Sequence, residues 1–298
     1  MDRSPRLVAA DGVLVLVTFF WGTSFALMKR VLVTTDPASF LILRFVLAGL
    51  MLLPLAWARR RSWSSELIKP GLIAGFFLFG SFITQMWGLV YTSASRSGFI
   101  TGLNVILVPP LSILVLRRMP ARAALLGAGL ACGGLYLLTS ADQAQGLPFN
   151  WGDVLTLMCA FLCAAYILAL GKYSPGRDAF WLTFVQFLTV LAGAIVWAAL
   201  IGELRFELTG EVFLAGLWLA GLCTVFAFWG QTWAQAYTTP TRAAIIFSLE
   251  PVFAALFAWW WLDETLGPWG LAGGGLILAG ILLAELKPGA WNRSNHLD

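Results

Sequence analysis

Charge is scarce in this chain. Asp, Glu, Lys and Arg make up 11% of its 298 residues, where a soluble domain carries about a quarter. With 59% hydrophobic residues, the polar surface cannot cover a water-soluble globule of this length, so the chain belongs in a lipid bilayer. Histidine is nearly missing. The single one, His296, stands in the C-terminal tail, which leaves no His-based metal centre and no nucleophile–base pair, and argues against an integral-membrane enzyme. Cys132, Cys159, Cys163 and Cys223 all fall inside apolar runs and none lies in a loop. A disulfide framework or a zinc site is therefore not expected, and they read as small packing residues. No Walker-type glycine loop is present, which argues against direct ATP drive, and no cofactor is implied. No nucleic-acid motif appears either: the net charge of +4 comes from short basic clusters between apolar runs, where Lys and Arg act as orientation signals. The first apolar run continues past Trp21 without a small-residue cleavage site, so it reads as a membrane helix rather than a cleaved leader.

What the chain does have is long apolar segments. Those able to cross roughly 30 Å of hydrocarbon lie at about 12–32, 37–57, 70–91, 96–116, 122–139, 151–170, 179–201, 212–237, 241–262 and 267–286. The predicted class is all-α integral membrane, with ten transmembrane spans. Prolines punctuate short connections, and the one longer linker, Ser140–Asn150, divides spans 1–5 from spans 6–10. Shifted by 146 residues without gaps, Gly71–Thr139 repeats as Leu217–Glu285 with 17 identities in 69 positions. Gln85, Trp87, Tyr91, Thr92 and Arg96 recur as Gln231, Trp233, Tyr237, Thr238 and Arg242. We divide the chain into a first five-helix repeat, 1–143, and a second, 144–298.

Orientation follows from Lys and Arg. With the N-terminus cytoplasmic, that side holds fourteen of them and the other side only Lys29, Arg30, Arg96 and Arg205. Both termini are then cytoplasmic. Five spans is an odd number, so the second repeat enters the membrane from the opposite side and the repeat is inverted. Two copies of one shape in opposite orientations suit alternate opening around a midplane site; the plainer reading is a duplication that makes a stable bundle. Glycines at Gly127, Gly129, Gly133 and Gly134 in span 5 and at Gly270, Gly273, Gly274, Gly275 and Gly280 in span 10 suit tight helix packing.

Several runs resemble the EamA-type members of the drug/metabolite transporter superfamily. They are Trp21-Gly22-Thr23-Ser24-Phe25 in span 1, Arg44 within Leu41-Ile42-Leu43-Arg44-Phe45 in span 2, Ser248-Leu249-Glu250-Pro251-Val252 in span 9, and Leu262-Asp263-Glu264-Thr265-Leu266 after it. The resemblance covers nearly the whole chain. Its aromatic richness and length are most similar to amino-acid and metabolite exporters, including YddG-type exporters of aromatic amino acids. Span 6 departs from the family, with Phe161-Leu162-Cys163-Ala164 where a Trp-Ala pair often stands.

Polar groups in hydrocarbon mark a candidate pathway. Ser81, Thr84, Gln85 and Gly88 share one face of span 3, and Gln231 stands at the repeat-related place in span 8. Ser97, Thr101 and Asn104 share a face of span 4; Phe247 and Glu250, next to Ser248, lie in span 9. Gln85 and Gln231 suit either interhelical hydrogen bonding or ligand contact. Candidate substrate-binding residues are Gln85, Gln231, Asn104, Ser248 and Glu250, with Trp21, Phe25, Trp87, Tyr91, Phe99, Tyr166, Phe228 and Phe247 as candidate walls. Glu250, the carboxylate well inside a span, is a candidate proton carrier or ammonium partner, and Arg44 a candidate charge partner; either also suits a structural hydrogen-bond network. Their repeat equivalents, Asn104 and Gln186, are neutral. Pro109, Pro110 and Pro251 break backbone hydrogen bonds within spans and are candidate hinges or fixed kinks.

The expected function is export of small metabolites, amino acids including aromatic ones first, by alternating access across a bacterial-type inner membrane. Quaternary-ammonium drugs and purines are alternatives. Sugar phosphates and nucleotide sugars need several cavity cations, and the spans offer Arg44. A receptor or scaffold without flux is the alternative of another class. The expected partners are a small-molecule substrate and lipid; oligomeric state is not legible.

Overall fold

The computed structural model describes residues 5–116, 149–202 and 208–286, with 126–127, 129–130, 133–134 and 136–137 between them. Ten of the eighteen residues of the expected fifth span and most of the Ser140–Asn150 linker lie outside the described residues, as do Cys132 and His296.

Among the described residues the secondary structure is helical throughout. The elements are α1 (Pro5–Val31), α2 (Pro37–Ala58), α3 (Ile68–Tyr91), α4 (Ala94–Gly102), α5 (Asn104–Leu116), α6 (Trp151–Tyr173), α7 (Ala179–Ile201), α8 (Gly210–Ala220), a π-helical segment Gly221–Phe226, α9 (Ala227–Gln235), α10 (Pro240–Phe247), α11 (Glu250–Leu262) and α12 (Pro268–Leu286). Six helical runs are long and apolar enough to cross a membrane: Pro5–Val31, Pro37–Ala58, Ser65–Tyr91, Trp151–Tyr173, Ala179–Ile201 and Gly210–Gln235. Their starts are chemically marked. Asp36 accepts from Ser39 N at 2.9 Å just before Pro37, and Asp178 accepts from Phe180 N at 2.9 Å, so orphan N–H groups are satisfied where water is scarce. Asn150 and Asp153 form a capping box at the head of α6.

The expected spans 4 and 9 are each two helices rather than one. The interruption falls at Leu103 between α4 and α5, and at Ser248–Leu249 between α10 and α11. Leu103 and Leu249 are equivalent under the 146-residue shift. In the second half Pro251 has no N–H to give the carbonyl four residues back, which opens the ladder there. In the first half Pro109 and Pro110 sit inside α5; the break comes earlier, where Leu103 N bonds Ile100 O at 3.1 Å in a tighter turn.

Equivalences in the first two spans emerge at a different offset. Asp11, Asp36 and Phe45 match Asp153, Asp178 and Phe187 at a shift of 142. Packing follows the same pairing and runs mainly between halves: α3 lies on α6 and α7, while α1 lies on α9 and α11; α2 packs on α7, and α4 on α11. The two halves are thus interlocked. Small residues set the closest crossings. A Cβ on Gly88 of α3 would stand 2.6 Å from Thr156 Oγ1, and one on Gly22 of α1 would stand 2.2 Å from Phe253 Cβ of α11. Gly134 approaches Gly273 and Ile277 of α12 just as closely, in line with the tight packing expected there, whereas a Cβ on Gly129, Gly133 or Gly275 would meet nothing within 4 Å.

Candidate functional site

The site begins with a local irregularity. Span 8 widens into the π-helical segment Gly221–Phe226, whose counterpart 75–80 is ordinary α-helix in α3. Thr224 Oγ1 donates five residues back to Leu219 O at 2.8 Å. The carbonyl of Cys223 accepts from Trp21 Nε1 at 3.2 Å and from Arg44 Nη2 at 3.1 Å, so the wide turn serves two side chains from the other half. Arg44 also donates from Nε to Thr224 Oγ1 at 2.6 Å and from Nη1 to Met28 Sδ at 3.4 Å, and its guanidinium lies 4.6 Å from the Phe82 ring centre. It is 1% exposed, and all of these partners are neutral.

Glu250 opens α11, directly beside the break in span 9, and is 7% exposed. Among the described residues none donates a hydrogen bond to its carboxylate or pairs with it. Arg44 and Glu250 line one cavity, with about 550 Å³ of empty space including its mouth. A buried charge held by neutral groups alone is costly, and an incoming opposite charge relieves that cost.

Much of the lining comes in matched pairs from the two halves, while Leu78, Ser81, Cys159 and Ile167 line it without their mates. Phe82 faces Phe228 and Gln85 answers Gln231, while Asn104 holds the place of Glu250 and Thr101 that of Phe247. At the other offset Trp21 corresponds to Cys163 and Ser24 to Tyr166. The aromatic members interlock, with Phe228 packed on Trp21 at 5.1 Å, on Phe82 at 5.5 Å and on Tyr166 at 6.0 Å between ring centres; Trp21 meets Phe247 at 5.2 Å. Among the described residues Asn104 Oδ1 and Gln231 Oε1 are buried without a hydrogen-bond partner, which is unusual for interior polar atoms.

Sequence comparison places this architecture. The EamA-like transporter family matches residues 9–140 and again residues 150–286. The chain belongs to that family. A protein of Archaeoglobus fulgidus named an uncharacterized transporter is 34% identical over 93% of this chain and 86% of its own length. The uncharacterized transporter YwfM of Bacillus subtilis is 24% identical over 92% of each, and a WAT1-related chloroplastic protein of Arabidopsis thaliana is 27% identical over 93% of this chain and 69% of its own. A solved crystal structure superposes with a TM-score of 0.72 at 18% identity, covering 94% of this chain and 97% of that one, which shows a common fold.

In this EamA-like transporter the residues expected at the site divide into two groups. Trp21, Arg44, Gln85, Asn104, Tyr166, Phe228, Gln231, Phe247 and Glu250 line the cavity. Phe25, Trp87, Tyr91, Phe99 and Ser248 do not. Phe25 is in the core of the bundle; Tyr91 is 55% exposed; Phe99 lays its ring against Gly274 of α12, where a Cβ would be 2.8 Å away; and Ser248 is buried in the break. Tyr166 donates to Gln186 Oε1 at 2.6 Å, so the neutral counterpart of Arg44 stands behind a lining residue rather than in the lining. Gln231 donates to Gln235 Oε1 at 2.9 Å and Gln235 to Ile167 O at 3.0 Å: this glutamine joins helices and lines the cavity. The side-chain amide of Gln85 has no partner among the described residues.

Sequence reasoning missed Ser24, Phe82, Cys159 and Cys163 as lining residues. Cys159 and Cys163, read as packing residues, present sulfurs 3.8 Å apart on the cavity side of α6. Helical spacing was the available signal, since Cys159, Cys163 and Tyr166 fall at i, i+4 and i+7, and Phe82 lies three residues before Gln85.

Proposed function

We propose that this transporter exports small zwitterionic metabolites, amino acids including aromatic ones, by alternating access through two inverted repeats, 1–143 and 144–298. It sits in a bacterial-type inner membrane with both termini cytoplasmic. The observation that carries the substrate class is the pair Arg44 and Glu250, one from each half, bordering a single cavity with no ion-pair partner among the described residues. A ligand with one carboxylate and one ammonium neutralises both at once, and the rings of Trp21, Phe82, Phe228 and Phe247 suit an apolar or aromatic side chain. A phosphorylated ligand brings more negative charge than one guanidinium balances.

A second reading has its own support. The aromatic rings near Glu250 also suit a quaternary ammonium, but Arg44 repels a lone cation. Purified protein in liposomes loaded with labelled amino acids decides the matter: protein-dependent efflux that unlabelled amino acids compete away is expected. Efflux of a quaternary ammonium alone supports the second reading, and binding without flux supports a receptor.

A further inference from the structure

Two ion pairs hold equivalent places in the two halves. Arg96, in the first turn of α4, lies 2.7 Å from Asp153 in the first turn of α6, with side chains 2% and 0% exposed. Arg242, in the first turn of α10, donates from Nε to Asp11 Oδ1 of α1 at 2.9 Å, with side chains 32% and 20% exposed. The arginines are mates at the 146-residue offset and the aspartates at the 142-residue offset, so one pair is the repeat image of the other. They lie at opposite ends of the bundle. Lys29, at the far end of α1 from Asp11, donates to Thr92 O at 2.8 Å, and Thr92 Oγ1 donates to Asp153 Oδ1 at 3.0 Å. Along α1 that separation is about 27 Å, close to a hydrocarbon thickness.

Their surroundings differ in degree of closure. Around Arg96–Asp153, Asn150 N also bonds Asp153 at 2.9 Å, and Glu264 accepts from Ala94 N and Ser95 N at 3.0 and 2.9 Å, tying the loop after α11 onto the head of α4. At the other end, Thr238 is the counterpart of Thr92, yet among the described residues its hydroxyl is buried without a partner. The threonine–aspartate hydrogen bond of the first cluster thus has no counterpart among the described residues of the second.

We propose that Arg96–Asp153 and Arg242–Asp11 are paired latches that close the cavity toward opposite membrane faces, and that Arg242–Asp11 is the one that opens from this conformer. The inference rests on the alternating-access reading. Each arginine stands at the outer end of a short helix, α4 or α10, separated from the rest of its span by the break at Leu103 or Leu249. The inner end of each short helix carries cavity residues, Thr101 in α4 and Phe247 in α10, with Asn104 and Glu250 just beyond the breaks. Release of a latch frees that short helix to swing, so access and the cavity wall change together. These four side chains are positioning residues; none lines the cavity.

The test measures distance distributions by pulsed electron paramagnetic resonance on the full chain in nanodiscs. Spin labels at Val8 and Tyr237 span the N-terminal face, and labels at Trp151 and Thr265 span the other; all four positions are exposed. Asp11→Asn is expected to raise the long-distance fraction on the N-terminal face roughly two- to fivefold, the weight of a part-exposed pair, and to leave the other face unchanged. Asp153→Asn is expected to bias the opposite face. The exchange Asp11→Arg with Arg242→Asp is expected to restore the starting distribution. Should Asp153→Asn fail to fold, Asp11→Asn and the exchange still decide. Equal changes on both faces, or none, overturn the latch. No substrate is needed, so distances that move as expected beside absent amino-acid flux leave the latch standing and sink only the substrate reading.

Discussion

Phe82 and Phe228, mates in the two halves, meet edge to face with 5.5 Å between ring centres. Under the proposed inverted repeat, mates touch one another only where the two-fold passes, which puts the cavity they border at the seam between the halves. Phe228 also packs on Trp21, Tyr166 and Phe187 and sets the bulk of the apolar wall. Phe228→Leu is expected to keep the fold at a cost of about 1 kcal/mol and to shift preference toward ligands with larger side chains. Competition binding across a series of side-chain sizes checks this, and an unchanged order of preference refutes it.

Gln85 and Gln231 share a repeat position but not a hydrogen-bond environment. Gln231 is linked through Gln235 to Ile167 O, whereas the Gln85 amide lines the cavity with no partner among the described residues. Gln85→Leu should therefore leave thermal stability unchanged, while Gln231→Leu should lower it by about 0.5–1.5 kcal/mol. Both should depress flux. Thermal melts in detergent beside liposome flux separate the two; equal melting losses would remove the distinction.

The sequence made some of this legible and hid the rest for physical reasons. The 146-residue register is visible because Gln, Trp, Tyr and Arg recur within it and cannot be mistaken for generic apolar filling. The 142-residue register of spans 1 and 2 was legible at one position, Gln186 for Arg44, and leaves few other marks, so Cys163 did not stand out as the mate of Trp21, nor Asp11 and Asp153 as mates. The paired breaks do not both follow a proline: Pro251 stands at one, while Leu103 lies six residues before Pro109, in a helix pair of which α4 packs against α11. Trp87 and Tyr91 illustrate a different miss. They stand two and six residues after Gln85, about 200° and 240° around the helix, so a stricter reading of the face excludes both.

Gly22 belongs to the Trp21–Phe25 run that resembles the family, and the structure gives its reason. A Cβ there would lie 2.2 Å from Phe253 Cβ and 2.9 Å from the Phe253 carbonyl carbon, so α1 and α11 cross almost backbone to backbone. Gly22→Val must push α11 away and is expected to cost about 1–3 kcal/mol. Lower folded yield and an earlier melt by fluorescence-detected size exclusion are the readouts; a melt equal to that of the unsubstituted protein would contradict the crossing.

Orientation is testable with residues at opposite ends of α2. Val33, before it, is 81% exposed, and Ser62, after it, is exposed. The excess of Lys and Arg on one side predicts that an impermeant thiol reagent labels Val33→Cys in intact cells and reaches Ser62→Cys only after the membrane is opened. The reverse pattern would place the N-terminus outside.

The charge pair offers the sharpest test of substrate class, because each member recognises a different end of the ligand. Glu250→Gln keeps the shape of the side chain and removes its charge; Arg44→Met keeps volume and removes the guanidinium. A charge-assisted hydrogen bond contributes about 1.5–3 kcal/mol, so each variant should weaken amino-acid binding roughly 10- to 150-fold. The two losses should be selective. Glu250→Gln should weaken an amino-acid ester, which keeps the ammonium, and spare the deaminated acid; Arg44→Met should do the opposite. Arg44→Met also removes the donor to Thr224 Oγ1 and leaves Cys223 O with Trp21 Nε1 alone, so a lower melting temperature accompanies it without bearing on selectivity. Equilibrium binding of the three ligands to both variants gives a two-by-three pattern, and parallel losses across all three would mean that the two charges hold the fold rather than the ligand.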